Sequence, residues 1–294
     1  MDRLQSLING TCCVRARDYA SMMDTILPSV MAGNLSSVSA MLDKCDVTIM
    51  AMSAVGGANT CSQWRADDLS LPDNTILVIR LEGFLYSWVT MCVIDALEAA
   101  FSNPHIIGVI LRIDGPGGMA SQVDRLARMI AEAPKPVATV CEGSMCSAHF
   151  WIGSAAGRVF VDSKLAEIGS VGAMMSFVGL KKFYQDNGID YRDIYPDSSD
   201  MKNAAYRKLW DDGDESAVKD KLEYLQRVFC ENVAANTGVE YDPSSPLYRG
   251  DTFFVDEALR MGIVDQEGGM EDAAAWILAE NLKSQIDHEL TNHK

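Results

Sequence analysis

Histidine is scarce in this chain: four stand among 294 residues, His105, His149, His288 and His293. Basic residues are also few, 25 Lys and Arg against 41 Asp and Glu, which leaves a formal net charge of −16. No basic cluster is longer than the pair Lys181–Lys182. A nucleic-acid surface needs clustered cations, so DNA or RNA partners are excluded as an expectation. The eight cysteines include no C-x-x-C pair, and several lie in apolar runs. Zinc and a disulfide framework are therefore poorly supported, and no metal or cofactor is expected. There is no run of about 18 apolar residues. The first twenty residues, MDRLQSLINGTCCVRARDYA, lack an apolar signal core and a small-residue cleavage site. The expectation is a soluble, cytoplasmic protein with no membrane partner.

What is present is an ordinary globular composition, 48% hydrophobic and 22% charged, long enough for one large domain or two small ones. Residues 1–70 read as a helical appendage followed by a linker. A helix is expected over Arg17–Met31, a second over Leu35–Leu42, and a Gly-, Ser- and Asp-rich connection over Ser53–Asn74. From Thr75 the pattern changes. Ile76–Leu81 (ILVIRL) and Ile106–Ile113 (IIGVILRI) are near-continuous apolar strands, separated by a helical stretch, Val93–Phe101. Helical spacing over Val123–Ile130, a strand at Val137–Cys141 and another at Arg158–Val161 extend the alternation. Strands alternating with helices of about 10 residues predict βαβ units, hence an α/β fold with a mainly parallel sheet covered by helices. Further on, a helix is expected at Gly179–Asn187, a short strand at Ile189–Ile194, and an amphipathic helix over Asp214–Asn236. The polar tail beyond Leu282 reads as frayed.

The chain is organised around Met145–Ile152 (MCSAHFWI), where a strand passes through small residues into a helix with Ser147 at its start. A hydroxyl there stands beside helix N–H groups that have no intrahelical partner, which is a nucleophile with oxyanion donors next to it. A serine N-cap on a buried helix is the plainer alternative. Cys146 is a rival nucleophile, although a small buried hydrophobe is the commoner role for such a cysteine. A second turn, Asp114–Gly118 (DGPGG), follows the strand ending at Ile113. It lacks the spacing of a phosphate loop, whereas an oxyanion hole needs only backbone N–H groups. In parallel sheets, sites gather at the C-terminal ends of strands, where both features lie.

No histidine suits a Ser-His-Asp triad. His149 is two residues from Ser147, and such helical neighbours point about 200° apart. His105 sits at the wrong end of the sheet, and the other two are in the tail. A Ser-Lys dyad remains, in which an unprotonated lysine takes the hydroxyl proton. Free lysine titrates near ~10.4, so the base must be held roughly three pH units lower, worth about 4 kcal/mol.

Four segments together carry a family resemblance. Ile113–Gly118 resembles the I-D-S-P-G-G turn of the signal peptide peptidase A group, the S49 serine peptidases of the Clp protease/crotonase superfamily. Met145–Ile152 resembles their A-A-S-G-G-Y-Y-I segment, Ile168–Gly172 their T-G-S-I-G, and Ser198–Lys202 their S-G-x-x-K. The segments occur in family order, and Phe254–Gly268 is similar to the family's closing A-x-x-x-G-L-V-D. The resemblance implies a Clp/crotonase-like fold, Ser147 as nucleophile, Lys202 as general base and Ser170 orienting the lysine. It also implies an oxyanion hole from the amides of Gly118 and Ala148, with Gly117 beside them. Departures are Gly115 for serine, Ala148 for glycine and Ser199 for glycine. The last leaves Lys208 as an alternative base. Ile8–Gly10, Tyr19 and Val30–Gly33 are similar to the N-terminal region of phage capsid-assembly S49 proteases.

The resulting expectation is a serine endopeptidase domain over residues 71–281, with an N-terminal appendage over 1–70 and a flexible tail over 282–294. Its expected substrates are capsid and scaffold proteins, cut in a phage prohead. A homo-oligomer is implied, with Phe84, Leu85, Tyr86, Trp88 and Val89 as apolar contact residues. A general cytosolic S49 peptidase, an inactive assembly protein and a crotonase-type acyl-CoA enzyme are the alternatives.

Overall fold

The computed structural model describes residues 12–14, 48–53, 62–63, 66–177 and 179–292. Its strands are β1 (Cys12–Val14), β2 (Thr48–Ser53), β3 (Ser62–Gln63), β4 (Thr75–Leu85), β5 (Ile106–Met119), β6 (Val137–Cys146), β7 (Arg158–Val161), β8 (Glu167–Gly169), β9 (Thr252–Phe253) and β10 (Gln266–Glu267). Its helices are α1 (Ser87–Ser102), α2 (Val123–Ala131), α3 (Ala148–Gly153), α4 (Lys181–Asp186), α5 (Ala204–Asp212), α6 (Ser216–Thr237), α7 (Val255–Met261) and α8 (Met270–Asn292).

The sheet runs β10-β7-β6-β5-β4-β2-β3. All neighbours from β10 to β4 are parallel. On the far side, β2 is antiparallel to β4, and β3 to β2. The apolar runs in β4 and β5 are near-continuous because both faces of the sheet are covered, so alternate side chains enter different cores. Leu77, Ile79 and Leu81 join Val93, Leu97, Leu126, Ile130, Trp151 and Phe229 beneath the helices of one face. Ile76 and Val78 join Ile110, Val140 and Phe160 under Ala273 and Ile277 of α8 on the other. Each such fully buried aliphatic side chain contributes roughly 1.5–3 kcal/mol relative to exposure. The expected α/β architecture with a mainly parallel sheet is the one observed.

Several local expectations differ from what forms. The glycine turn at 114–118 is not a turn: β5 continues through it to Met119, with Gly115 opposite Met145 and Gly117 opposite Phe84. Pairing with β4, and with β6 at Gly115, carries the strand through, with register shifts at 82–84 and 113–115 and Gly117 at φ 104°. Residues 66–74 are not a free linker. Ala66 and Leu71 are buried, and the Asn103 amide donates to the carbonyls of Ala66 and Asp68. Segments of the first 70 residues are strands of the sheet, β2 along six residues of β4, so the expected boundary at residue 70 cuts through one layer. The helices expected at 17–31 and 35–42 lie outside the described residues.

No strand forms at Ile189–Ile194: the Ile189 N–H donates to the Tyr184 carbonyl at 2.8 Å, and Ile194 is 89% exposed. The tail is helical, as α8 continues to Asn292. Phe84, Leu85, Tyr86 and Val89 are buried in the core rather than offered to a neighbour. Exposed apolar side chains gather instead over residues 180–201: Leu180, Phe183, Ile189, Tyr191, Ile194 and Met201. No helix among the described residues is long and apolar enough to cross a membrane.

Candidate active site at the strand-to-helix turn

Two strand ends converge on the site. At Asp114 the side chain turns to the neighbouring strand, and its Oδ1 accepts the Ser144 N–H at 2.9 Å and the Ser144 hydroxyl at 3.1 Å. This ties β5 to β6 just before each strand reaches its functional end. Beyond the pair Gly115–Met145, β6 leaves β5. The last residues of β5 then keep β4 on one side and gain β1, antiparallel, with Cys13 opposite Gly118 and Val14 opposite Gly117. Gly118 has no room for a side chain, since a Cβ there would lie 2.5 Å from the Leu85 nitrogen.

β6 ends at Cys146, whose thiol faces β8 and donates to the Glu167 carbonyl at 3.4 Å. That orientation removes it as a nucleophile. Ser147 follows with φ 55° and ψ −120°, a backbone that residues with a Cβ rarely adopt, and it is fully buried. Such a conformation costs on the order of 1–3 kcal/mol and persists only where neighbours impose it. Here the Ser147 N–H donates to the Gly169 carbonyl at 2.7 Å, and its own carbonyl accepts from Trp151 at 2.9 Å, opening α3. The ring of Trp151 stacks on Phe229 of α6 at 4.5 Å, anchoring that helix start in the core. Ser147 Oγ lies 3.4 Å from the Gly172 carbonyl, a long contact that leaves the hydroxyl weakly held.

β8 runs parallel to the end of β6, with Gly169 opposite Cys146, so the next residue, Ser170, follows alongside Ser147. Ser170 is buried, also has positive φ (53°), and donates its N–H to the Asp251 carbonyl at 2.7 Å. The two serines and the glycine end of β5 are therefore brought together. Ala148 opens α3, and first-turn amides have no intrahelical acceptor. Gly117, expected beside the Gly118 and Ala148 amides, is engaged differently: its N–H donates to His149 Nδ1 at 3.0 Å.

Lys202 is not brought to Ser147. It is exposed, in a turn where its N–H donates to the Ser199 carbonyl, and Lys208 on α5 is exposed as well. Among the described residues neither lysine is hydrogen-bonded to Ser147 or Ser170. Neither α4 nor α5, which flank this stretch, carries a buried residue, and an aromatic group of Phe177, Tyr184, Tyr206 and Trp210 links them.

Asp114 and His149 make hydrogen bonds beside the candidate site that motif reading does not foresee. From the sequence alone, His149 is offered only as a triad base that points away from Ser147. Its true neighbour, 32 residues away in sequence, is visible only once β5 and α3 are side by side. Burial pushes its pKa down to about 4, so the ring is neutral and can accept from Gly117.

The family model for peptidase family S49 matches residues 130–284. The capsid assembly protease C of Escherichia phage lambda is 30% identical over 212 residues, covering 69% of this chain and 47% of that protein. A head-tail preconnector protein of Enterobacteria phage P21 is 28% identical over 221 residues, 74% of this chain and 43% of that one. The chain thus spans less than half the length of both relatives. Solved structures that resemble it include an enoyl-CoA hydratase/isomerase family member, at TM-score 0.43 and 16% identity, covering 73% of this chain and 74% of that one. That likeness is too slight to argue from.

Proposed function

The chain belongs to peptidase family S49, and from that premise we propose that it is a serine endopeptidase with Ser147 as nucleophile and Lys202 as general base. The observation that carries the reading is the strained, buried backbone at Ser147, set where a strand turns into a helix. An N-cap serine needs no such conformation, because ordinary caps sit in the β region.

In the proposed reaction Ser147 Oγ attacks the scissile carbonyl carbon while the neutral Lys202 amine takes its proton. The oxyanion is held by the Gly118 and Ala148 amides. The ammonium returns the proton to the leaving amine, and water then releases the acyl group by the same steps in reverse order. Ser170, beside Ser147, orients the lysine. Because Lys202 is exposed, its engagement requires the 179–215 segment to close over the substrate. The exposed apolar residues of that segment are the contacts proposed for a homo-oligomer.

The proposed substrates are capsid and scaffold proteins, cut in a phage prohead, a reading supported by the similarity to a phage capsid assembly protease and a head-tail preconnector protein. A fluorophosphonate probe tests the chemistry: one adduct by intact mass in the native chain, and none in Ser147→Ala. Absence of labelling in the native protein favours an inactive assembly protein, a reading consistent with an exposed Lys202. Co-expression with capsid protein tests the substrate: specific cleavage that Ser147→Ala abolishes is expected. Unprocessed capsid protein beside a labelled enzyme leaves a general S49 peptidase.

A further inference from the structure

We propose that His149 is a positioning residue of the oxyanion site, a strut through which α3 holds the end of β5 at the correct distance from Ser147. The proposal rests on the serine peptidase reading of the same site. The oxyanion donors come from two separate elements, Gly118 on β5 and Ala148 on α3, and the sheet no longer joins them directly. Backbone pairing between β5 and β6 ends at Gly115–Met145, before either donor is reached. What bridges the gap is the His149 ring: it belongs to the first turn of α3, is 1% exposed, and takes the Gly117 N–H on Nδ1 at 3.0 Å.

The bond fixes the tautomer. An Nδ1 that accepts must carry its proton on Nε2, in a neutral ring. Space is shaped to match. A Cβ at Gly115 would collide with His149 Cε1 and stand 2.7 Å from Nδ1, so the ring occupies room that only glycine at 115 leaves open. Glycine at 115 and the imidazole at 149 are thus sterically matched to each other. Gly117 itself has φ 104°, and its amide faces the helix rather than a strand. Removing the acceptor would leave a buried N–H to seek another partner by rotating the peptide plane. Gly118 follows directly in the chain, flanked by Leu85 of β4 and Cys13 of β1, and its donor would shift with the Gly117 peptide within those pairings. Ser147 would remain in place, held by Gly169 and Trp151.

Two variants separate acceptor chemistry from bulk. In His149→Asn the amide oxygen takes the place of Nδ1, whereas His149→Phe fills the volume with no acceptor. The readout is the fluorophosphonate reaction at Ser147, resolved into the maximal acylation rate and the half-saturating probe concentration. We expect His149→Phe to lower the maximal rate by about 10- to 100-fold, since misplacement by about an ångström has costs of that order. Half-saturation should be unchanged, and His149→Asn should recover to within about threefold of the native rate. If His149→Phe does not fold by circular dichroism, His149→Leu serves in its place, being smaller and equally without an acceptor. Equal rates in native protein and the acceptor-free variant would overturn the proposal. So would a rate in His149→Asn as low as in His149→Phe. If the native protein does not label at all, the peptidase reading falls and takes this role with it.

Discussion

His149 should make the stability of this protein depend on pH in a window where few other groups do. The ring is buried, and burial lowers its pKa from 6.5 to about 4. In the unfolded chain it titrates near its ordinary value, about 6.5. Between the two, the unfolded state binds a proton that the native state refuses, so unfolding is favoured as pH falls. The contribution is fully present above about 6.5, is lost progressively on acidification, and is exhausted below about 4. A difference of roughly 2.5 pH units corresponds to about 3 kcal/mol at 1.36 kcal/mol per unit. Other groups also titrate as the pH falls, so the measurement must be differential. Urea unfolding of the native chain and of His149→Asn, followed by tryptophan fluorescence at pH 7.5, 6, 5 and 4, isolates the term. Asn does not titrate, so the stability of the native chain relative to the variant should fall by about 3 kcal/mol from pH 7.5 to 4. A difference between the two that stays constant across this range would refute a buried neutral imidazole at 149.

Ser147→Gly should abolish probe labelling yet raise the melting temperature by a few degrees. Glycine adopts φ 55° without strain, and relief of on the order of 1–3 kcal/mol outweighs its chain-entropy cost of about 0.5–1 kcal/mol. A lower melting temperature would contradict the strained backbone. Trp151→Ala should lose about 3–5 kcal/mol by urea unfolding, because it empties the stack on Phe229 that anchors α3; a loss below about 1 kcal/mol would show that α3 is held some other way. Lys202→Ala should abolish cleavage while Lys208→Ala leaves it largely intact, measured on a casein or capsid substrate, and the reverse result would move the base to α5.

The sequence by itself determined the layers and marked the strand-to-helix turn at Ser147. Near-continuous apolar runs at 76–81 and 106–113, alternating with helical spacing, admit little besides a parallel sheet covered on both faces, because exposing either face would leave a row of aliphatic side chains in water. Small residues between a strand and a helix pick out Ser147, and glycine after the long α6 helix marks its end, as Gly238 with φ 72° shows. These signals are local: each depends on residues a few positions apart. What only the tertiary structure decided depends on neighbours distant in the chain. The glycines at 115–118 look like a turn until β4 and β6 are beside them, and then extended pairing costs less than leaving their backbone groups buried and unpaired. Phe84, Leu85, Tyr86 and Val89 read as a surface patch until the sheet and α1 bury them, and Ile189–Ile194 reads as a strand yet stands exposed without one. His149 shows the same limit. Two residues from the nucleophile, it looks like a failed base, and only the approach of Gly117 across the sheet turns it into an acceptor with a definite tautomer. Lys202, assigned by its motif, stands exposed, because the reach of a long side chain is set by the packing of the segment that carries it, and α4 and α5 bury nothing that would hold that segment down.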